Sequence, residues 1–90
     1  MSDVVNNVGA SRYEMPVDGS KAILAYRQTG NVLQLVHTEV PAELEGRGLA
    51  SKLVQGALDD IRSKGQKIEP RCSYVSVWLK RHPDYQDLVA

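Results

Sequence analysis

A glycine-rich turn near the middle of the chain has the residue types and spacing of an anion-binding site. Gly46 and Gly48 flank Arg47 and lie directly before an apolar stripe with helical spacing. The first backbone N–H groups of a helix have no partner within the helix, and they lie at the positive end of its dipole. Glycines let a phosphate approach these groups closely. The turn therefore indicates a phosphate or pyrophosphate site, and the competing interpretation is a plain loop before a helix.

Three more residues have side chains suited to catalysis. His37 and Glu39 are candidate general bases, because an imidazole or a carboxylate can take a proton from an amine. Cys72 is the only cysteine in the sequence, and it follows a predicted strand and precedes a predicted helix. That position lowers a thiol pKa and favours a nucleophilic thiolate. The competing interpretations are solvated polar residues for His37 and Glu39 and a small buried residue for Cys72.

The elements that must position these residues begin with three strands. Residues 12–15, 21–28 and 32–40 have strand-like patterns, and the turn sequences Asp18-Gly19 and Thr29-Gly30-Asn31 separate them. Tight turns of this kind join antiparallel neighbours. We therefore expect an antiparallel three-strand meander.

A helix and a return strand follow the glycine turn. Residues 48–64 carry an apolar stripe, and Gly65 is typical of a helix C-terminus. Residues 66–70 form a fourth strand, which a strand–helix–strand crossover makes a parallel neighbour of the third. The fold class is thus α+β. The end of the third strand, the helix N-terminus and Arg71-Cys72 are expected to surround one cleft at the edge of the sheet.

Residues 73–82 fit either a strand or a short second helix, and we expect the helix. Ser73 is a candidate cap, and Tyr74, Val77 and Trp78 would form the buried face. The apolar residues of the following segment are expected to pack against the core: Tyr85, Leu88 and Val89.

Length and composition restrict the function further. The 90 residues predict a single small domain over 1–90, with residues 1–10 as a loose lead-in. Eleven basic residues balance eleven acidic ones, so charge gives no reason to expect nucleic acid or a membrane as a partner. The sequence shows neither an apolar run of membrane-spanning length nor a pattern of metal ligands. The single cysteine fits a reducing compartment, and we expect a cytoplasmic monomer.

The glycine turn also carries a family resemblance. Glu45-Gly46-Arg47-Gly48-Leu49-Ala50 resembles the acetyl-CoA signature Q/R-x-x-G-x-G/A of the GNAT acetyltransferase superfamily. The surrounding sequence is similar to a subgroup of very small GNAT-like proteins. The similar segments are His37 to Pro41, Gly48 to Val54, Pro70 to Cys72 and Arg81 to Tyr85. The resemblance covers most of the chain, from about Ser20 to Val89, and implies a compact GNAT-like fold.

The resemblance implies that the protein binds acetyl-CoA and transfers its acetyl group to an amine, which is either a small amine or a lysine or N-terminus of a protein. The pyrophosphate would lie on the glycine turn and the pantetheine along the end of the third strand. The amine would attack directly, with His37 or Glu39 taking its proton, or Cys72 would first carry the acetyl group. The implied cofactor-binding residues are His37, Thr38, Val40, Gly46, Arg47, Gly48, Leu49, Ala50 and Ser51.

One residue departs from the family signature. Glu45 stands where Gln or Arg is usual, and a carboxylate repels a pyrophosphate unless it points away. The chain also lacks the elements with which larger members build an acceptor pocket. These departures favour an alternative, a non-catalytic acyl-CoA-binding or sensing module. A third hypothesis is a partner-dependent subunit in which CoA binding is vestigial.

Overall fold

Alternating apolar and polar residues in the first half of the chain fold into consecutive antiparallel strands. The computed structural model describes residues 3–90, and its strands are β1 (Val5–Asn7), β2 (Arg12–Val17), β3 (Ser20–Thr29), β4 (Val32–Glu39) and β5 (Lys67–Pro70). They form one sheet in the order β1-β2-β3-β4-β5. Pairing is antiparallel from β1 to β4 and parallel between β4 and β5. The predicted meander and the predicted parallel crossover are both confirmed.

Two helices complete the fold. The first, α1 (Leu49–Ser63), connects β4 to β5, and the second, α2 (Ser73–Arg81), follows β5. Short 3-10 turns at Val8–Ala10, Ala42–Leu44 and Pro83–Leu88 lie between or after the longer elements. The predicted α+β fold class, with its main helix crossover and short second helix, is confirmed.

The sheet has one strand that the sequence did not predict. A loose lead-in is expected over residues 1–10, of which residues 1–2 lie outside the described part of the chain. Val5–Asn7 instead pairs with β2, and the Tyr26 hydroxyl donates a hydrogen bond to Asn6 Oδ1 at 2.7 Å. Asparagine has a low strand propensity, so β1 depends on the free edge of β2 more than on its own sequence. The expectation of a loose segment is therefore wrong for residues 5–7.

The core lies on one face of the sheet. Alternate residues of β2, β3 and β4 are buried there, among them Tyr13, Leu24 and Leu35. They belong to one cluster with residues of α1 and α2, whereas the strand residues that point the other way are half-buried or exposed. The helices therefore cover one face, and the opposite face is open to solvent. The predicted stripe of α1 is fully buried at Leu53, Val54, Ala57, Leu58 and Ile61.

The second helix is confirmed, but it turns a different face to the core. Val75, Trp78 and Leu79 are buried, while Tyr74 and Val77 are 38% and 45% exposed. The predicted burial of Tyr74 and Val77 is therefore wrong. Nine residues of mixed composition can offer more than one apolar face, so the helical period alone did not decide which face is buried.

Contacts from other elements set the position of α2. The backbone N–H groups of Arg71 and Cys72 both donate to the carbonyl of Leu35 in β4, at 3.0 and 2.9 Å. These bonds hold Cys72 in an extended conformation beside β4, and α2 begins at the next residue. Cys72 is therefore the N-cap, one residue before the expected cap Ser73. The C-terminal apolar residues pack against the core as predicted: Tyr85, Leu88 and Val89.

A polar contact joins β2 to α1 at the edge of the core. The Tyr13 hydroxyl donates to Asp60 Oδ2 at 2.7 Å, and Lys64 Nζ lies 2.8 Å from the same oxygen. Burial alone raises the pKa of the Asp60 carboxyl, but the hydrogen bonds from Lys64 and Tyr13 outweigh it and hold that pKa below its usual range. Burial and the same hydrogen bond raise the pKa of the Tyr13 phenol. Both shifts favour a neutral phenol beside an ionised carboxylate.

Acid is expected to weaken the fold through Asp60. Because the pKa of Asp60 is lower in the folded chain, its contacts stabilise the fold above the unfolded pKa of about 4, and this stabilisation is lost as the pH falls through the folded pKa. Urea unfolding measures the free energy of unfolding at each pH. Between neutral pH and about pH 3, this free energy should decrease less in Asp60→Asn than in the wild type. Asp84→Asn, at an exposed carboxylate, is the control. Equal acid sensitivity in Asp60→Asn and wild type would contradict this assignment.

Candidate functional site

A β-bulge in β4 decides which of its residues face the helices. Tyr26 of β3 pairs with Leu35, and the preceding residue, Ala25, pairs with His37, so Val36 is an extra residue in β4. Such an extra residue reverses the alternation of side chains beyond it. Thr38 therefore pairs with the buried Leu24 and lies on the face that the helices cover.

The glycine turn leaves the start of α1 without a side-chain cap. Gly46 and Gly48 have φ angles of 79° and 70°, in the left-handed region that L-residues rarely adopt. Gly48 is the N-cap of α1, and among the described residues no side chain caps it and no acidic residue lies in its first turn. The first N–H groups of α1 are thus available to an anion.

A cleft of about 410 Å³ lies where the turn, β4 and the start of α2 meet. As the topology predicts, the end of β4 and the start of α1 line this cleft, but Arg71 and Cys72 are not among its lining residues, and α2 contributes Tyr74 instead. Six of the nine predicted cofactor-binding residues line the cleft: Thr38, Val40, Gly46, Gly48, Leu49 and Ala50. Sequence reasoning missed two apolar lining residues, Leu44 and Tyr74. The signal for Leu44 is that it is the only large apolar residue in a polar loop, whereas the helical pattern predicts a core position for Tyr74.

Two predicted cofactor-binding residues direct their side chains elsewhere. Arg47 Nη1 lies 3.1 Å from Asp18 Oδ2 in the turn between β2 and β3. Ser51 Oγ accepts a hydrogen bond from Trp78 Nε1 at 2.9 Å. The positions of Arg47 and Ser51 in the turn and first helical turn still leave their backbone N–H groups as candidates for an anion.

The two candidate bases lie on the other side of β4. His37 and Glu39 side chains are 59% and 66% exposed, and His37 Nε2 lies 3.3 Å from Glu39 Oε2. The bulge at Val36 puts both residues on the open face of the sheet, opposite to Thr38. Their side chains are therefore accessible to a molecule that approaches the open face, and they do not line the cleft.

Cys72 lies beside the cleft and next to a residue that lines it. Its Sγ is 3.4 Å from Thr38 Oγ1, and the residue is half-buried at the N-cap of α2. Burial alone raises the pKa of the Cys72 thiol. Hydrogen bonds from the Thr38 hydroxyl and from the backbone amides of Val75, Tyr74 and Thr38 outweigh burial and hold that pKa below its usual value. The arrangement favours a thiolate.

An acidic residue lines the cleft, and a second lies in the 3-10 turn that precedes it. Glu45 is exposed and lines the cleft, and Glu43 accepts a 2.7 Å hydrogen bond from the Ser20 hydroxyl.

Across residues 3–90, no cluster of His, Cys, Asp and Glu has the makings of a metal site. Within that same range, no helix combines the length and apolar character that crossing a membrane requires.

Comparison with known proteins places these features in a family. The family described as GCN5-related N-acetyl-transferase matches residues 12–88. Protein NATD1 of Gallus gallus is 36% identical over 64 residues, which is 70% of this chain and 58% of that protein. Protein NATD1 of Danio rerio is 32% identical over 80 residues, covering 86% and 73%. The match to the chicken protein thus spans less than two thirds of its length.

A solved structure shares the whole fold. The solution NMR structure of a GCN5-like protein from Staphylococcus aureus superposes with a TM-score of 0.73 and 28% sequence identity. The superposition covers 100% of this chain and 91% of that one. Together with the family match over residues 12–88, this likeness shows that the chain belongs to the GCN5-related N-acetyltransferase family.

Proposed function

We propose that this protein binds acetyl-CoA and transfers its acetyl group to an amine. The observation that carries the proposal is the cleft at the uncapped start of α1, opened by two glycines in the left-handed conformation. Backbone N–H groups at a helix N-terminus bind phosphates without further help from side chains. Family membership supports an acyl-CoA as the phosphate-bearing ligand.

The residues of the cleft fit this ligand in most respects. Amides of residues 46–51 suit the pyrophosphate, and the apolar side chains of Val40, Leu44 and Leu49 suit the pantetheine arm. The Arg47–Asp18 ion pair is exposed and therefore weak, so the Arg47 guanidinium is free to turn to a phosphate. The carboxylate of Glu45 opposes binding.

The acceptor amine would reach the reaction from the open face of the sheet. Acetyl-CoA, when bound, supplies an activated acetyl thioester, and Thr38 and Cys72 are on the cleft side of β4 to meet it. β5 pairs with β4 only up to Leu35, so the last residues of β4 form an edge of the sheet. An amine on the open side, next to His37 and Glu39, would reach the thioester past this edge. In direct transfer, the amine attacks the carbonyl carbon, the bond from that carbon to the CoA sulfur breaks, and His37 or Glu39 takes the amine proton.

A covalent route uses Cys72 as a nucleophile. The Cys72 thiolate attacks the carbonyl carbon, the carbon–sulfur bond to CoA breaks, and CoA leaves and is protonated. The amine then takes the acetyl group from Cys72, gives its proton to His37 or Glu39, and restores the thiolate. Cys72→Ala separates the routes, because it stops the covalent transfer and leaves the direct one.

The alternative is a module that binds acyl-CoA without catalysis. The carboxylate of Glu45 in the cleft and the exposure of His37 and Glu39 favour it, because an open surface holds a small acceptor poorly. This alternative predicts the same ligand site and no acetylated amine.

Titration of the ¹⁵N-labelled protein with acetyl-CoA, followed amide by amide in NMR spectra, tests the proposal. We expect saturable shifts at residues 46–51 and 38–40. Mass spectrometry after incubation with small amines and a lysine peptide should then detect an acetylated amine, and an acetyl adduct on Cys72 would identify the covalent route. Binding without transfer would favour the binding module, and unchanged spectra at millimolar acetyl-CoA would refute both.

A further inference from the structure

We propose that Thr38 is a positioning residue whose hydroxyl holds the Cys72 sulfur beside the acyl-CoA cleft. This inference rests on the proposed function and concerns the nucleophile of its covalent route. Thr38 lines the cleft, and its Oγ1 lies 3.4 Å from Cys72 Sγ. It thus touches both the ligand space and the thiol.

The bulge at Val36 is what brings Thr38 to this place. Without the extra residue, strand alternation would put residue 38 on the open face and His37 on the helix-covered face. With it, Thr38 is half-buried and pairs with Leu24 of β3. Its side chain faces the start of α2, where Cys72 lies. A local irregularity of the backbone therefore selects the side chain that meets the thiol.

The chemistry of the contact favours an ionised sulfur. A thiolate carries no hydrogen, so the Thr38 hydroxyl must be the donor, and a hydrogen bond to a charged acceptor is stronger than one to a neutral acceptor. The amides of Tyr74 and Val75 at the start of α2 act in the same direction, against the effect of burial. Loss of the Thr38 hydroxyl should therefore raise the pKa of the Cys72 thiol.

Alkylation of Cys72 with iodoacetamide, measured as a function of pH on the protein alone, tests this role. Thr38→Val keeps the branched shape of the side chain and removes its hydroxyl. We expect the midpoint of the alkylation profile to rise by about one pH unit. At neutral pH the rate should fall about threefold, because a smaller thiolate fraction is partly offset by a more nucleophilic sulfur.

Two further variants separate this role from a general effect on folding. Thr38→Ser retains the hydroxyl and should restore the wild-type midpoint. Ser76→Ala removes a hydroxyl that donates to the Cys72 carbonyl at 3.3 Å rather than to its sulfur, and it should leave the midpoint unchanged. A wild-type midpoint in folded Thr38→Val, or an equal rise in Ser76→Ala, would overturn the inference. Because no acetyl-CoA is present, the result is independent of whether the proposed function holds.

Discussion

Gly48→Ala is expected to lower the affinity for acetyl-CoA by about tenfold or more, because it acts where a phosphate must approach the backbone. Gly48 is the N-cap of α1 and has a φ of 70°. An L-residue in this left-handed conformation costs roughly 1–2 kcal/mol, so the turn is driven toward conformations that no longer direct the N–H groups of α1 into the cleft. Isothermal titration calorimetry with acetyl-CoA measures the change.

Gly30→Ala is the matched control for this prediction. Gly30 has a φ of 60° and lies in the turn between β3 and β4, and an added Cβ meets no atom within 4 Å at either glycine. Both variants should therefore lose a similar amount of stability, roughly 1–2 kcal/mol. Only Gly48→Ala should lose affinity. Wild-type affinity in Gly48→Ala, or an equal loss in Gly30→Ala, would show that the phosphate site is elsewhere.

Trp78→Ala is expected to lower the free energy of unfolding by about 3–5 kcal/mol, a large fraction of the stability of a small domain. Trp78 is 3% exposed, and its Nε1 donates to Ser51 Oγ at 2.9 Å. Its ring stacks on His82 at 3.8 Å between centroids and meets the edge of Tyr85 at 5.1 Å. The side chain thus joins α2, the C-terminal turn and the start of α1. Trp78 is the only tryptophan, so the variant has no tryptophan fluorescence with which to follow unfolding. Urea unfolding followed by circular dichroism therefore measures the loss.

Trp78→Phe separates packing from the hydrogen bond to Ser51. Phenylalanine retains most of the ring contacts and removes the N–H donor, so we expect a smaller loss, on the order of 1–2 kcal/mol. If the alanine variant lost no more than the phenylalanine variant, the assignment of most of the effect to packing would be wrong.

The amino-acid sequence by itself determined the features that depend on local pattern. The apolar stripe of α1 has the period of a helix, and Gly48 and Gly65 mark its ends, so the helix bounds followed from short-range rules. Asp18-Gly19 and Gly30 defined the turns of the meander in the same way. The position of the cleft followed from these elements, because a crossover between parallel strands brings strand ends and a helix N-terminus to one edge.

Only the tertiary structure decided which side chains reach that cleft. The bulge at Val36 sends Thr38 to the helix-covered face and His37 to the open face, and no local signal in the sequence marks it. The pairing of β1 and the rotation of α2, which exposes Tyr74 to the cleft, depend likewise on residues distant in the sequence. The physical reason is that side-chain alternation and helical period define which residues share a face, whereas strand pairing and packing between distant segments select the face that is buried.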